Sequence, residues 1–432
     1  MSQDEQGATA SVKIEAEETS SASFEAIRAR YVIGCDGAHS IVRKSQAIPF
    51  AGHSLPGRFW LLDAELDWGR SQEHVYTWAH RDGIIVMIPL PGSRQWRIYV
   101  QMVQYDKDSE EVTLERIRNV FAERTGEPGA VIGQASWLSD FQIHQRMVTT
   151  YRQGNVFLAG DAAHIHSPAG GQGLNTGIAD AYNLAWKLAL VLRKQAREQL
   201  LETYEIERLP VAQDVLHRSE EQSELIFSQR SLTSKLIMPV LGRLMQLPAV
   251  QQHLALAGSQ LLVNYRTSPL SIISNQPHRR FLVRGGRKVA GLQEVRAGDR
   301  APQATFHDAS AGRPGTVFQL FEDGKSHLLL FSGKKRNRVE VFEAATSLAR
   351  RLAAQWGALI TPHVVCTDMP APSSQDSSLI LDPDHSLHMP YHVNGPALVL
   401  LRPDSYIGFR SNSLDHNALC EYLRTFFVPK GA

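Results

Sequence analysis

Residues 154–188, GNVFLAGDAAHIHSPAGGQGLNTGIADAYNLAWKL, constrain the fold of this chain more than any other stretch. Val156, Phe157, Leu158 and Ala159 form a short apolar run suited to a strand covered on both faces. Gly160 allows a tight turn, and Asp161 stands where the strand ends. In α/β folds ligands lie outside the carboxyl ends of strands, so a carboxylate there can accept hydrogen bonds from a sugar or sugar alcohol. Pro168 stiffens the following loop, and Gly170, Gly171 and Gly173 remove side chains where a large group must approach the backbone. From Leu174 a helical pattern begins, with Ile178, Ala181, Ala185, Leu188 and Leu192 on one stripe that is expected to be core. The start of that helix offers unpaired N–H groups and a positive dipole end. A glycine turn that only packs helix against sheet accounts for the same spacing, because glycine-rich loops are weak signals alone.

An earlier stretch, YVIGCDGAHSIVRK, repeats the logic. A strand ends at Gly34, Asp36 and Gly37 make a turn, and a helix follows. Asp36 and Arg43 either pair with each other or reach a phosphate. Taken alone, this stretch reads most simply as an Asp-Gly turn with a solvated arginine. Two strand–Asp–helix turns in one chain favour a ligand lying across both.

The rest of the chain sets the context. Its 432 residues suffice for two or three domains, and 43% hydrophobic with 21% charged residues is ordinary for a globular protein. The 45 basic and 44 acidic residues leave a net charge of +1. That balance argues against nucleic acid or an anionic membrane as the main partner. No apolar run approaches the roughly 18 residues of a membrane span. Cys35, Cys366 and Cys420 form no CxxC and no metal-ligand spacing, which points to a reducing, cytoplasmic setting. Cys366 reads as a small buried apolar residue.

Residues 1 to about 105 read as β-rich, with Asp82-Gly83 and Pro91-Gly92 as hairpin turns. In an extended VYTWAH, Tyr76, Trp78 and His80 share one face. SEEVTLERIRNVFAERTG reads as a helix ending at Gly126. Residues of about 174 to 262 read as largely helical, and Pro210 is expected to break or restart a helix. A Gly- and Arg-rich stretch, FLVRGGRKVAGLQEVRAGDRAPQ, marks a domain boundary. Beyond it, short strands alternate with helices, as in a small α/β domain.

The pair GCDGAHSIVRK and GNVFLAGDAAHIHSPAGGQGLNTGIADAYNLAWKL resembles two signatures of the single-component FAD-dependent aromatic hydroxylases. YEIERLPVAQDVL and LLVNYRTSPLS extend the resemblance. VRAGDRAPQ and VLLRPDSYIGFRS resemble the thioredoxin-like C-terminal domain of the phenol-hydroxylase branch, so coverage is nearly the whole chain. The resemblance implies a mixed α/β and α+β fold. Residues 1–290 would form an incomplete, Rossmann-like FAD-binding domain with an antiparallel substrate sheet at about 52–145, and residues 291–432 a thioredoxin-like domain. It implies FAD as cofactor, NAD(P)H as co-substrate, and hydroxylation of a phenolic or polyketide aromatic with O₂ through a flavin C4a-hydroperoxide. Carried over residue by residue, Gly160 and Asp161 serve the ribityl chain. Pro168, Gly171, Gln172, Gly173, Leu174 and Asn175 border the flavin ring. Asp36, Gly37 and Arg43 lie towards the pyrophosphate side. Tyr76 and His80 are candidates for orienting a phenol, against the commoner reading that they are packing residues. The resemblance identifies no catalytic base. A C-terminal domain without CxxC is expected to pack on the flavin domain or on a second subunit, as in a homodimer.

The family opens with a strand, GxGxxG and a helix, followed about 20 residues later by a ribose-binding acid. Neither has a counterpart here, and residue 1 falls just before the second signature. A truncated product, half of a split enzyme, and a non-catalytic remnant with a binding or oligomerisation role are the three expectations. A flavin-dependent reductase or oxidase uses the same contacts. His164 and His166 flank the Asp161 loop, but two histidines do not make a metal site.

Overall fold

The computed structural model describes residues 1–14, 23–55, 57–92, 94–103, 112–127, 129–167, 171–227, 243–244, 247–274, 295–309, 312–334, 339–368 and 379–430. The expected domain boundary at 290/291 and the Pro168 position lie outside these residues. Two compact units emerge, Met1–Gly177 with Ala212–Gly258, and Ile178–Val211 with Ser259–Ala432. Neither unit is a single run of sequence.

In the first unit, a five-stranded antiparallel sheet has the order Val131–Phe141, Arg58–Asp67, Gln95–Met102, Gly83–Pro89, Tyr76–His80. The turns fall where Asp82-Gly83 and Pro91-Gly92 predict them. One face buries Trp60, Leu62, Ala64, Ile85, Met87, Trp96, Ile98 and Val100 against Ile117 and Phe121 of helix Leu114–Thr125. Thr113 caps that helix by accepting the Arg116 N–H at 3.3 Å, and Gly126 ends it in the left-handed region at φ 70°. The opposite face carries half-buried Leu61, Asp63, Val86, Ile88, Arg97 and Tyr99. A second, smaller sheet joins Arg152–Gln153, Val156–Leu158 and Val32–Gly34, the last two parallel.

In the second unit, an eight-stranded sheet centres on the fully buried strand Ser326–Phe331. It pairs in parallel with Ile360–Cys366 through the crossover helix Val339–Trp356, and antiparallel with Ala397–Leu401. After the short strand Leu379–Leu381, which pairs in parallel with Ile360–Cys366, a hairpin to Ile407–Ser411 and helix His416–Phe426 complete a β-α-β-β-β-β-α order. Cys366 is buried as expected, and burial pushes its thiol up to about 12.

Two expectations fail, for physical reasons. Pro210 neither breaks nor restarts a helix, because Glu202–Phe227 is continuous through it. The carbonyl that loses its donor belongs to Ile206, a residue that is 43% exposed. The supposed core stripe of helix Gly173–Leu192 is also misplaced. Ile178 and Leu192 are 57% and 50% exposed, and Ala181 and Ala185 are exposed too, leaving only Leu188 buried. The buried side of that helix carries Asp180, Asn183 and Lys187.

These polar groups are buried because they are paired. Arg402 donates from Nη1 and Nη2 to both oxygens of Glu207 at 2.6 and 2.8 Å, and from Nε to Asp404 at 3.0 Å. Lys187 Nζ donates to Glu207 at 2.8 Å and to Asn183 at 2.7 Å. Arg208 Nε donates to Asp180 at 2.7 Å and Nη1 to the Tyr265 hydroxyl at 2.9 Å. Burial alone would raise the Glu207 carboxyl, but Arg402 and Lys187 hold it well below the usual carboxylate range. Burial lowers Lys187 to about 8, against the pull of Glu207. Replacing Arg402 by Met strands two buried carboxylates and should cost about 3–5 kcal/mol in urea unfolding. The lysine has its own signature. Its native pKa lies below the unfolded value, so its contribution to stability rises with pH from about 8 towards 10.5. Unfolding curves at several pH values should show that rise flattened in Lys187→Met.

Candidate functional site

The two strand–Asp–helix turns leave one sheet side by side. Val156 lies opposite Val32, Phe157 opposite Ile33 and Leu158 opposite Gly34. The Ala159 N–H continues the ladder to the Gly34 carbonyl at 3.0 Å. A side chain at Gly34 would press within 2.9 Å of Val42 and 2.8 Å of Leu158, so glycine is what lets the following helix sit against this strand.

Asp36 shapes the first turn. It accepts from Ser40 Oγ at 2.5 Å and from the backbone N–H groups of Ile41 and Val42 at 2.7 and 3.1 Å. Partial burial opposes its ionisation, yet these donors hold its carboxyl below the usual range. Gly37 takes the left-handed φ of 78° that the turn needs. Arg43 is buried rather than solvated. Its Nη1 donates to the Ala162 carbonyl at 3.0 Å, its Nη2 to the Ala38 carbonyl at 2.9 Å, and the guanidinium stacks 3.9 Å from the Phe50 ring centroid. One side chain therefore ties the Asp36 turn to the Asp161 turn, a tie the sequence reading missed. Burial lowers the guanidinium's pKa and the nearby Asp36 charge opposes that, so Asp36 acts on Arg43 through its charge while the hydrogen bonds go to carbonyls.

Asp161 differs from Asp36. It is exposed, and among the described residues its carboxylate accepts no hydrogen bond. Gly160 turns the chain at φ 61°, and a side chain there would meet Gly177 Cα at 3.6 Å. Adding one at Gly177 would put it 3.2 Å from Gly160 Cα. This close approach sets the start of helix Gly173–Leu192 against the Asp161 turn. Gly177, a glycine inside a helical pattern, was the available sequence signal for it.

Gly171 is exposed at φ 63°, and Leu174 and Asn175 are exposed in the first helical turn. Gln172 is buried, and its carbonyl accepts from Thr176 N and Oγ1 at 3.0 and 2.8 Å. A side chain at Gly173 would approach His166 Nε2 to 3.3 Å. That nitrogen is buried without a hydrogen-bond partner, and burial lowers the ring's pKa. His164 stacks between Tyr151 and His166 as a buried ring.

Tyr76 and His80 lie away from these turns in role. Tyr76 packs among Trp68, Trp78 and Trp96 on the helix-covered face, and its hydroxyl donates to the Ser71 carbonyl at 3.1 Å. His80 stands at the hairpin turn beside Asp82.

An exposed carboxylate beside a helix start with free N–H groups suits a ligand that has hydroxyls at one part and electronegative atoms at another. The flavin portion of FAD, with its ribityl hydroxyls and pyrimidine edge, fits that donor and acceptor set. These features suit a flavin ligand in an α/β protein.

Comparison with known proteins agrees. Residues 1–219 match the family described as FAD binding domain. The chain is 31% identical over 391 residues to 6-methylpretetramide 4-monooxygenase of Streptomyces rimosus, covering 89% of this chain and 64% of that protein. It is 30% identical over 415 residues to pentachlorophenol 4-monooxygenase of Sphingobium chlorophenolicum, covering 95% of this chain and 70% of that protein. Among solved structures, OxyS anhydrotetracycline hydroxylase of Streptomyces rimosus superposes with a TM-score of 0.69 at 26% identity, over 99% of this chain and 73% of that one. The chain belongs to the FAD-binding-domain family of flavin-dependent monooxygenases. It spans about two thirds of the length of these curated relatives.

Replacing Arg43 by Met should leave the buried Ala162 carbonyl and the half-buried Ala38 carbonyl without this donor and cost about 1–3 kcal/mol in denaturant unfolding. Arg43→Lys should recover only part, because one ammonium cannot reproduce the guanidinium fork or its stacking.

Proposed function

We propose that this chain serves an FAD-dependent monooxygenase that hydroxylates a phenolic or polyketide aromatic, with NAD(P)H as reductant and O₂ as the second substrate. The observation that carries this reading is the uncommitted Asp161 carboxylate beside the exposed start of helix Gly173–Leu192. Support comes from relatives whose names state monooxygenation of an aromatic phenol and of a pretetramide. The bound flavin supplies hydride acceptance and oxygen activation. Asp161 accepts hydrogen bonds from the ribityl hydroxyls. The N–H groups around Gly173, Leu174 and Asn175 donate to the ring's pyrimidine edge, and the helix dipole favours negative charge there. Gly160, Gly171 and the buried Gln172 shape that loop. Asp36 and Gly37 hold the neighbouring turn in form, and Arg43 keeps the two turns in register.

The aromatic substrate lies on the sheet face that helix Leu114–Thr125 does not cover. There Arg97 grips Asp63 through Nε and Nη2 at 2.8 and 2.7 Å, and Tyr99 and Leu61 lie opposite each other in register. Arg97 and Tyr99 orient the substrate oxygen, and Leu61 and Val86 supply apolar contact. The β-α-β unit of the second unit's sheet and its terminal β-β-α unit, with strand Leu379–Leu381 between them, support a thioredoxin-like domain.

The purified chain, mixed with FAD and passed through gel filtration, should keep a visible flavin band. Asp161→Ala should weaken retention by about tenfold or more, the worth of one charge-assisted hydrogen bond. A wild-type chain that emerges colourless would overturn the reading. If flavin is retained, Tyr99→Phe should lower hydroxylation kcat/KM by about tenfold while NAD(P)H oxidation persists.

A further inference from the structure

The hairpin turn after strand Tyr76–His80 and the last turn of helix Leu114–Thr125 bring together a mixed nitrogen and oxygen donor set. His80, Asp82 and Glu123 each offer one ligand atom, and these atoms all lie within 4.8 Å of one another. His80 Nδ1 stands 3.3 Å from Asp82 Oδ2. The same Nδ1 accepts the Asp82 backbone N–H at 3.3 Å. In the neutral ring Nδ1 is then the acceptor and Nε2 carries the proton. The contact becomes attractive when a positive charge sits between the two atoms, either a proton on Nδ1 or a bound cation. Two donors on one tetrahedral zinc-like ion, each bonded at about 2.0–2.2 Å, stand about 3.3 Å apart.

Glu123 adds the third donor. It is exposed in the final turn of its helix, where the dipole disfavours a carboxylate. A cation relieves that repulsion and the Nδ1–Oδ2 contact together.

The neighbouring charges set the kind of ion. Arg81 Nε lies 3.2 Å from Asp82 Oδ2, but its side chain is 83% exposed and can swing into water at little cost. Arg124 cannot move as easily. It is held by the Gln101 carbonyl at 2.6 Å and by Met102 sulfur at 3.3 Å. Its charge acts on both Asp82 and Glu123 and offsets part of their combined charge, so a cation must bring coordinate bonds as well as charge. An imidazole with two carboxylates suits a borderline first-row ion better than Ca²⁺ or Mg²⁺, which take all-oxygen sets.

We propose that His80, Asp82 and Glu123 bind a divalent transition-metal cation of the zinc type, with water completing its coordination. The ion ties the 80–83 hairpin turn to the end of helix Leu114–Thr125. It braces the five-stranded sheet from the covered face, and it gives His80 a task outside substrate handling.

Cobalt(II) is the probe. Titrated into the purified chain, it should bind one equivalent with the visible absorption of a low-coordinate Co²⁺ site. Zn²⁺ should displace it, and excess Mg²⁺ should not. His80→Ala and Glu123→Gln should each weaken binding at least about tenfold, since even outer-sphere partners of metal ligands are worth that much. Zn²⁺ should raise the melting temperature of the wild type by more than that of either variant at the same concentration. Both positions are partly exposed, so melting curves without metal should confirm that the variants fold. No Co²⁺ uptake by the wild type, or an affinity unchanged in both variants, would overturn the proposal.

Discussion

The parallel register between Val32–Gly34 and Val156–Leu158 is the constraint on which the first unit's site depends. The two strands are more than a hundred residues apart in sequence. Pairing them in this register places Asp36 and Asp161 at neighbouring strand ends, and the Arg43 guanidinium then joins both turns. The two acids have different fates from the same position. Asp36 satisfies the N–H groups of its own short helix, so its charge is consumed locally. Asp161 has no such helix immediately after it, because its chain turns at Gly160 and passes beneath Gly177. The Asp161 carboxylate is left in water beside a helix start.

The second unit rests on a different interaction. Three cations, Lys187, Arg208 and Arg402, are buried with three anions, Asp180, Glu207 and Asp404. The stretches YEIERLP, NYRTSPLS and LLRPDSY, which extend the family resemblance beyond the flavin loop, meet in this network through Glu207, Arg208, Tyr265, Ser268, Arg402 and Asp404. Burying charge in low dielectric is costly unless each group is matched, so the six must arrive together. That cooperativity makes the network a poor source of net stability and a strong source of specificity for one arrangement of these helices.

The five-stranded sheet shows how two faces of one structure divide labour. Alternation sends Trp60, Leu62, Trp96 and Ile98 against a helix, and Leu61, Asp63, Arg97 and Tyr99 to the other side. The aromatic residues that look most like a binding face in an extended strand, Tyr76 and Trp78, are on the packed side. Aromatic rings are conspicuous in a sequence whether they stack on a ligand or on one another. Only the position of helix Leu114–Thr125 separates the two.

Local patterns determined a great deal. The strand–Asp–glycine–helix motifs, the Asp82-Gly83 and Pro91-Gly92 turns, the helix end at Gly126 and the burial of Cys366 follow from propensities acting over a few residues, and all were legible in the sequence. The likeness of whole stretches to the aromatic hydroxylases disclosed the family, although the second unit's segments are interleaved in a way no linear reading showed. Tertiary structure alone decided which face of helix Gly173–Leu192 is buried, that Pro210 lies within a continuous helix, that Arg43 links two loops rather than lying in solvent, and that Tyr76 packs among tryptophan rings. The physical reason is common to all four. Hydrophobic periodicity reports burial only when apolar area is what the neighbour offers. Where the neighbour offers a matched charge, a carbonyl or another ring, the outcome depends on groups distant in sequence, and no local pattern records their arrival.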